Sequence, residues 1–302
     1  MKNTALLALA LTVVPALASA EITVTGGATL TYGKLDGAFG PNDIKEKGLD
    51  GRLNLDFGNG ILFGVQVGKI DMPVSGTPIS LEGEFIALDA AYKFANGMRV
   101  GAYADRLTMG ADLSPIDLNL KTNGLSVGYE GQGFDVEAFV GQTSISPPLF
   151  GSVDIDNLGV ALSYTGQPGL EAGAAWLRAD LSAGGASQNI DFKGVAASYV
   201  FKDAFIVYGG ISKADFFISG ANFDTTGLGI GYDLGATTGF GATVSLELAN
   251  TDFGAGTDMD AVRLGLTVPF GAKGPALPMN SVADSILNPR HGAFNAALTS
   301  AF

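Results

Sequence analysis

The chain has 302 residues, including 44 Gly, 12 Pro and no Cys; 47% are hydrophobic, 16% are charged, and the formal net charge is −13. Gly stands at roughly twice its usual share and charge well below the usual ~25%. With a mean hydropathy of +0.29, this composition excludes a disordered chain. Irregularly spaced Gly excludes collagen, and net acidity makes nucleic acid a poor partner. Without Cys there are no disulfides, thiolate metal sites or thiol nucleophiles.

The first twenty residues read as an export signal. Lys2 gives a positive start, residues 5–17 an apolar run broken by Pro15, and Ala18-Ser19-Ala20 the small-residue pattern of a cleavage site. Cleavage after Ala20 leaves Glu21 first and a mature chain with a charge of −14, since Lys2 is lost. Beyond this signal no run approaches the ~18 apolar residues of a membrane-spanning helix.

From residue 21 a phrase recurs: alternating aliphatics, an aromatic, a few turn residues, then alternation again. The aromatics are Phe57, Tyr92, Tyr129, Tyr164, Tyr199 and Tyr232, spaced by 35, 37, 35, 35 and 33 residues. Within each phrase the period is two, as in Phe134-x-Val136-x-Ala138-x-Val140 and Val262-x-Leu264-x-Leu266-x-Val268-x-Phe270. Helices would need 3.6. Asn59-Gly60 and Gly131-Gln132-Gly133 supply tight-hairpin chemistry. The pattern predicts strands at about 22–34, 48–58, 61–71, 81–94, 98–108, 118–130, 134–145, 152–165, 170–181, 188–201, 204–216, 223–234, 239–252 and 258–270. The longest connection is expected between Asp36 and Lys47. About fourteen strands, short turns at one end and longer loops at the other describe an all-β fold: an antiparallel transmembrane β-barrel. Its expected organisation is a signal peptide (1–20), the barrel (21–270) and a short C-terminal tail (271–302) that is either periplasmic or a plug. Pro275, Pro278 and Pro289 argue against further strands in that tail.

Alternation alone does not say whether the apolar row meets a protein core or lipid, but the opposite row does. Gly227, Gly229, Gly231 and Asp233, then Gly241, Thr243, Ser245 and Glu247, then Arg263, Gly265 and Thr267 are small or polar. A solvated sheet face would carry more Lys and Glu and less Gly. The expectation is lipid outside and water inside. Phe57, Tyr92, Tyr129, Tyr164, Tyr199 and Tyr232 share the outward phase beside the tight turns, as a membrane-interface girdle would. Tyr32 and Trp176 belong to a thinner girdle at the other end.

The chain resembles the Gram-negative outer-membrane porin family, especially the Gly-rich acidic porins of alphaproteobacteria. The features that carry the resemblance are the Ala18-Ser19-Ala20 site, Ile-Thr-Val-Thr-Gly-Gly-Ala-Thr-Leu-Thr-Tyr32, Gly51-Arg-Leu-Asn-Leu-Asp-Phe57-Gly-Asn-Gly60 and the alternating run to Phe270, spanning about residues 21–270. The resemblance implies a channel for passive diffusion of small hydrophilic solutes, with a periplasmic N-terminus in the outer membrane of a Gram-negative bacterium. As partners it implies outer-membrane lipid and lipopolysaccharide, the barrel-assembly machinery and, as in sixteen-stranded members, a homotrimer. Fourteen strands depart from that count, the third connection (Gly110 to Ile116) is too short for the family's inward loop, and 32 residues follow Phe270, where the family's terminal aromatic should end the chain.

The phases place Asp56, Asp89, Asp105, Glu130, Asp135, Glu137, Glu171, Asp233 and Glu247 on the lumen side, with Arg52, Lys93, Arg99 and Arg263. Nine acids against four bases predict weak cation preference. No catalytic, cofactor or metal site is assigned. The single His, His291, follows Arg290 in the tail, away from any strand, so no barrel-mounted triad is expected and the protein reads as a non-enzyme. Asp154 and Asp156, or Asp258 and Asp260, could recruit Ca²⁺ at loop ends, though alternating acids there more often form a solvated rim. The alternatives to a channel are a non-conducting structural or adhesive outer-membrane barrel and, third, a soluble β-sandwich.

Overall fold

The computed structural model describes residues 22–37, 40–112, 117–147, 153–183, 186–216, 222–235, 241–254, 256–271 and 276–301. The expected signal, residues 1–20, lies outside them. Fourteen strands form one closed antiparallel barrel: β1 (Thr23–Gly37), β2 (Gly40–Asp56), β3 (Ile61–Pro73), β4 (Ser80–Lys93), β5 (Met98–Ala111), β6 (Leu118–Gly131), β7 (Phe134–Ser146), β8 (Asp154–Gln167), β9 (Leu170–Ala183), β10 (Ala186–Phe201), β11 (Phe205–Asp215), β12 (Asn222–Asp233), β13 (Thr243–Asp252) and β14 (Asp258–Phe270). Each strand pairs with its sequence neighbours, and β1 closes on β14 from Gly26↔Phe270 to Asp36↔Asp260. Closure leaves no edge, so the backbone donors and acceptors along the wall are met within the ladder.

The period of two sets the faces. Leu30, Leu125, Val140, Val195, Ile211, Leu228, Leu248 and Leu264 are all more than half exposed, Leu228 reaching 68%. Their immediate neighbours on the other face, such as Thr29, Thr31, Phe139, Ala196, Gly227, Gly229 and Arg263, are buried. A continuous exposed aliphatic belt far exceeds the patch of a few hundred Å² that a water-soluble monomer tolerates. It suits a surface whose solvent is hydrocarbon.

The expected long connection between Asp36 and Lys47 is corrected. β2 begins at Gly40, eight residues before its expected start, and only residues 38–39 separate it from β1. The apolar pair Leu35↔Ile44 drives this extension, both side chains being 1% exposed within the barrel, and Ile44 also bridges to Val74. Lys34 braces the hairpin outside by reaching Asp36 and Asp43 at 2.9 and 3.1 Å.

After β14 the chain turns back. Two short helices, α1 (Val282–Leu287) and α2 (Ala293–Ala301), follow. Ser281 caps α1, its hydroxyl accepting the Asp284 N–H at 3.1 Å. Every residue of α1 is buried.

Replacing Leu125 with Arg places a charge at mid-height of the outer belt and is expected to cost about 2–4 kcal/mol. Urea unfolding in lipid bilayers measures this, and an unchanged midpoint would speak against a lipid-facing position.

Candidate functional site

The candidate site is the barrel lumen, and the C-terminal segment occupies much of it. Residues 276–301 reach strands around the whole circle. Ala276 N–H donates to Thr243 on β13 at 2.8 Å and Met279 N–H to Thr29 on β1 at 3.2 Å. Arg52 on β2 forks onto Asp284 at 3.0 and 2.9 Å. The Arg290 guanidinium carbon lies 3.2 Å from the centroid of the Phe85 ring on β4. His291 reaches Asp105 on β5 and Glu137 on β7. A segment that touches so many strands from their buried faces lies inside the wall.

The glycine rows explain how it fits. A Cβ at Gly194 would stand 2.7 Å from Ile286 Cγ1, one at Gly210 2.9 Å from Ile286 Cδ1, and one at Gly227 2.6 Å from Val282 Cγ2. The expectation of water against these rows is therefore corrected for β10 to β12, where missing side chains make room for α1. The same wall is apolar: Leu177, Phe192, Ile190, Ile206 and Ala214 are each 3% exposed or less and join Val282, Ile286, Ala293 and Ala297 in one cluster. Burying such side chains contributes roughly 1.5–3 kcal/mol each for the larger ones, so the helices are held by packing as well as by charge.

Three charged clusters fix the segment on the polar wall. Arg263, 3% exposed, donates to Glu46 at 2.8 Å and to Glu247 at 3.4 Å, with the Ala301 carbonyl at 3.5 Å. Glu247 in turn accepts the Val282 N–H at 3.0 Å. The Arg52–Asp284 fork is the second, and truncating one partner of such a buried pair costs about 3–5 kcal/mol. The third surrounds His291, whose ring stacks on Tyr103 at 3.9 Å, meets the edge of Phe139 at 4.8 Å, and points Nδ1 at Asp105 (3.7 Å) and Nε2 at Glu137 (3.4 Å). Burial opposes its charge, but the two carboxylates outweigh that and raise its pKa to about 9. With both nitrogens facing carboxylates, the ring has none left to take a proton from a hydroxyl.

The thirteen side chains expected on the lumen side fall into groups. Arg52, Asp105, Glu137, Glu247 and Arg263 contact the C-terminal segment as described. Arg99 forks onto Asp135 at 3.0 and 2.9 Å and reaches Glu137 at 3.2 Å. Lys93 pairs with Glu130 at 2.8 Å. Asp89 lines a cavity beside them. Glu171 is half-buried on the face of β9 that carries Leu177. Asp56 and Asp233 instead accept turn N–H groups, from Gly58 and Gly235, each at 2.8 Å. Sequence reasoning missed Glu46, because the expected β2 starts at residue 48, and Asp50, which lies within the expected strand and in phase with Arg52; the alternation Ile44-x-Glu46-x-Gly48-x-Asp50-x-Arg52 carries the signal for both. It also missed the inward Tyr103 and Tyr208, and the tail's Asp284, Arg290 and His291, which carry no periodic pattern.

Of the interface aromatics, Tyr92, Tyr129 and Tyr199 are exposed, while Phe57, Tyr164 and Tyr232 are partly covered. Phe94, Phe134 and Phe205 extend the row: Tyr92–Phe94, Phe134–Tyr164 and Phe205–Tyr232 lie 5.0, 4.8 and 4.9 Å apart between ring centroids. Trp176, expected in the thinner girdle, stands at the middle of β9 instead, under the Arg178 guanidinium at 5.7 Å.

Space remains on the side of β2 to β7. A cavity of about 490 Å³ opens toward the tight-turn end, bordered by Asp56, Asp89, Arg99, Glu130, Asp135, Glu137 and His291. A second, of about 260 Å³, lies toward the loop end between Asp50, Arg52, Phe85, Leu107, Met109 and Arg290.

Because the His291 pKa is raised on docking, its contribution to holding the segment is complete below about pH 6.5 and is lost as pH climbs through about 9. Protease access to residues 276–301 in the detergent-solubilised protein is expected to rise across that window, and His291→Gln to remove the step. A wild-type profile flat from about pH 7 to 10 would contradict the assignment.

No family model and no curated protein sequence matches the chain. Solved structures do. An anion-selective porin from Comamonas acidovorans is 12% identical with a TM-score of 0.54, the match covering 83% of this chain and 100% of that one. A loop L8 deletion mutant of the Vibrio cholerae outer-membrane protein OmpT is 16% identical, covering 82% and 99%, with a TM-score of 0.48. A Pseudomonas aeruginosa FadL homologue is 10% identical, covering 83% and 90%, with a TM-score of 0.49. The likeness to the Comamonas porin concerns the fold alone: this chain is a closed antiparallel barrel similar to that porin.

Proposed function

We propose that the protein is an outer-membrane channel for passive diffusion of small hydrophilic solutes and ions, conducting through a narrow passage beside its C-terminal segment. The observation that carries this reading is the pairing of an exposed aliphatic belt with open space along the inner wall of β2 to β7, lined by charged side chains in its turn-end cavity. A belt of this kind needs lipid around it, and a polar interior within lipid gives ions a route that hydrocarbon denies them. The aromatic row beside the tight turns is the periplasmic interface in this reading, consistent with a periplasmic N-terminus and insertion by the barrel-assembly machinery. The likeness to alphaproteobacterial porins, contact with lipopolysaccharide and assembly as a homotrimer belong to the same proposal.

Selectivity follows from the larger cavity. Asp56, Asp89, Glu130, Asp135 and Glu137 border it against Arg99 and His291. Several of these acids are paired, so the bias toward cations is weak. Glu247 and Arg263 neutralise each other away from this space, and take no part in it.

Planar-bilayer recording of purified mature protein tests both statements. The wild type is expected to conduct with a reversal potential on the cation side in a KCl gradient, and Asp89→Asn with Glu130→Gln to move it toward zero. An unchanged or anion-side potential would overturn the selectivity assignment, and silence in every preparation would favour a non-conducting structural barrel.

A further inference from the structure

Resting on the channel reading, we infer that Gln66 and Asn288 form the constriction that sets its size cutoff. The two cavities lie on either side of one septum, and among the described residues these two border both. One amide comes from the wall and the other from the C-terminal segment, so the narrow point is built between barrel and insert.

Each half of the septum is held differently. Asn288 ends α1, its N–H donating to the Asp284 carbonyl at 2.8 Å and its side-chain amide to Asp284 Oδ1 at 2.9 Å. Asp284 is itself fixed by the Arg52 fork. Gln66 is the cross-strand partner of Arg52, so wall, ion pair and insert converge at one level of the barrel. Gln66 makes no hydrogen bond to the insert among the described residues and remains partly exposed to the cavities. The Asn288 amide is therefore held by the insert, whereas Gln66, without such a bond, can turn aside for a passing solute. Two neutral amides exchange hydrogen bonds with hydrated ions and sugars alike, so the septum selects by size, while Arg52, Asp284 and Arg290 on the loop-end side and the acids on the turn-end side supply the field.

The test uses the full-length mature protein in planar bilayers and in liposomes challenged with neutral sugars of graded size. Gln66→Ala is expected to raise single-channel conductance roughly threefold or more and admit larger sugars, and Gln66→Phe to lower both, with Asn288→Ala changing in the same direction as Gln66→Ala. Gln66→Glu and Gln66→Lys are expected to move the reversal potential in opposite directions. Heat-modifiable gel mobility confirms that each variant is folded. Because Gln66 makes no bond to the insert, its bulky and small variants separate a constriction from a loosened C-terminal segment: if both raise conductance alike, the residue only helps to seat the segment and the proposal fails. A conducting wild type whose conductance, sugar cutoff and reversal potential ignore all the Gln66 variants also overturns the constriction while leaving the channel standing. A wild type and variants that are all silent overturn the channel reading, and the constriction with it.

Discussion

In hydrocarbon an unpaired backbone N–H or C=O costs several kcal/mol, so a sheet can cross a membrane only if it has no edges. The β1–β14 register, eleven paired positions from Gly26↔Phe270 to Asp36↔Asp260, removes the last two. Once closed, the period of two leaves each strand a single choice of solvent per face. Leu228 and Leu264 then face out, and Gly227 and Arg263 must face in. The lumen, its charges and the place available for the C-terminal segment all follow from that ladder.

The interior is divided. On β9 to β12 it behaves like the core of a soluble protein: Phe192 and Leu177 are fully buried, and α1 seats its Val282 and Ile286 where glycines leave space. On β2 to β7 it carries charges beside open space, with Arg52 at one cavity and Arg99 and Glu137 at the other. An insert packed by oil-like contact on one side and by ion pairs on the other leaves its free volume next to the charges. That asymmetry turns a largely filled barrel into a candidate for a narrow passage, and makes a short amide pair sufficient to close it.

Much of this was legible before any coordinates. The alternation from Phe134 to Val140 and from Val262 to Phe270 sets both strand and phase, and Asn59-Gly60 marks a turn whose residues fit no other local structure. The Asp36–Lys47 stretch was misread because Gly40, Pro41 and Asn42 look like a loop, whereas Leu35 and Ile44 find each other inside the barrel and carry the hairpin outward. Glycine was ambiguous for a deeper reason: Gly227 reads the same whether water or Val282 fills the place of its missing side chain. The C-terminal segment was the least legible. Its helices are short, its Pro residues announce only that it is not strand, and Asp284 and His291 acquire meaning from Arg52, Asp105 and Glu137, more than a hundred positions away.

That the aliphatic rows meet lipid and the neighbouring rows do not is directly measurable, because the chain contains no native Cys. Single nitroxide labels at Leu125→Cys and Leu228→Cys, and at the adjacent inward position Ser126→Cys, can be read in bilayers by their relaxation with dissolved oxygen and with a water-soluble nickel complex. High oxygen and low nickel access are expected at residues 125 and 228, with low oxygen access at 126. Nickel access at 125 and 228 equal to that of an aqueous site would contradict a lipid-facing belt.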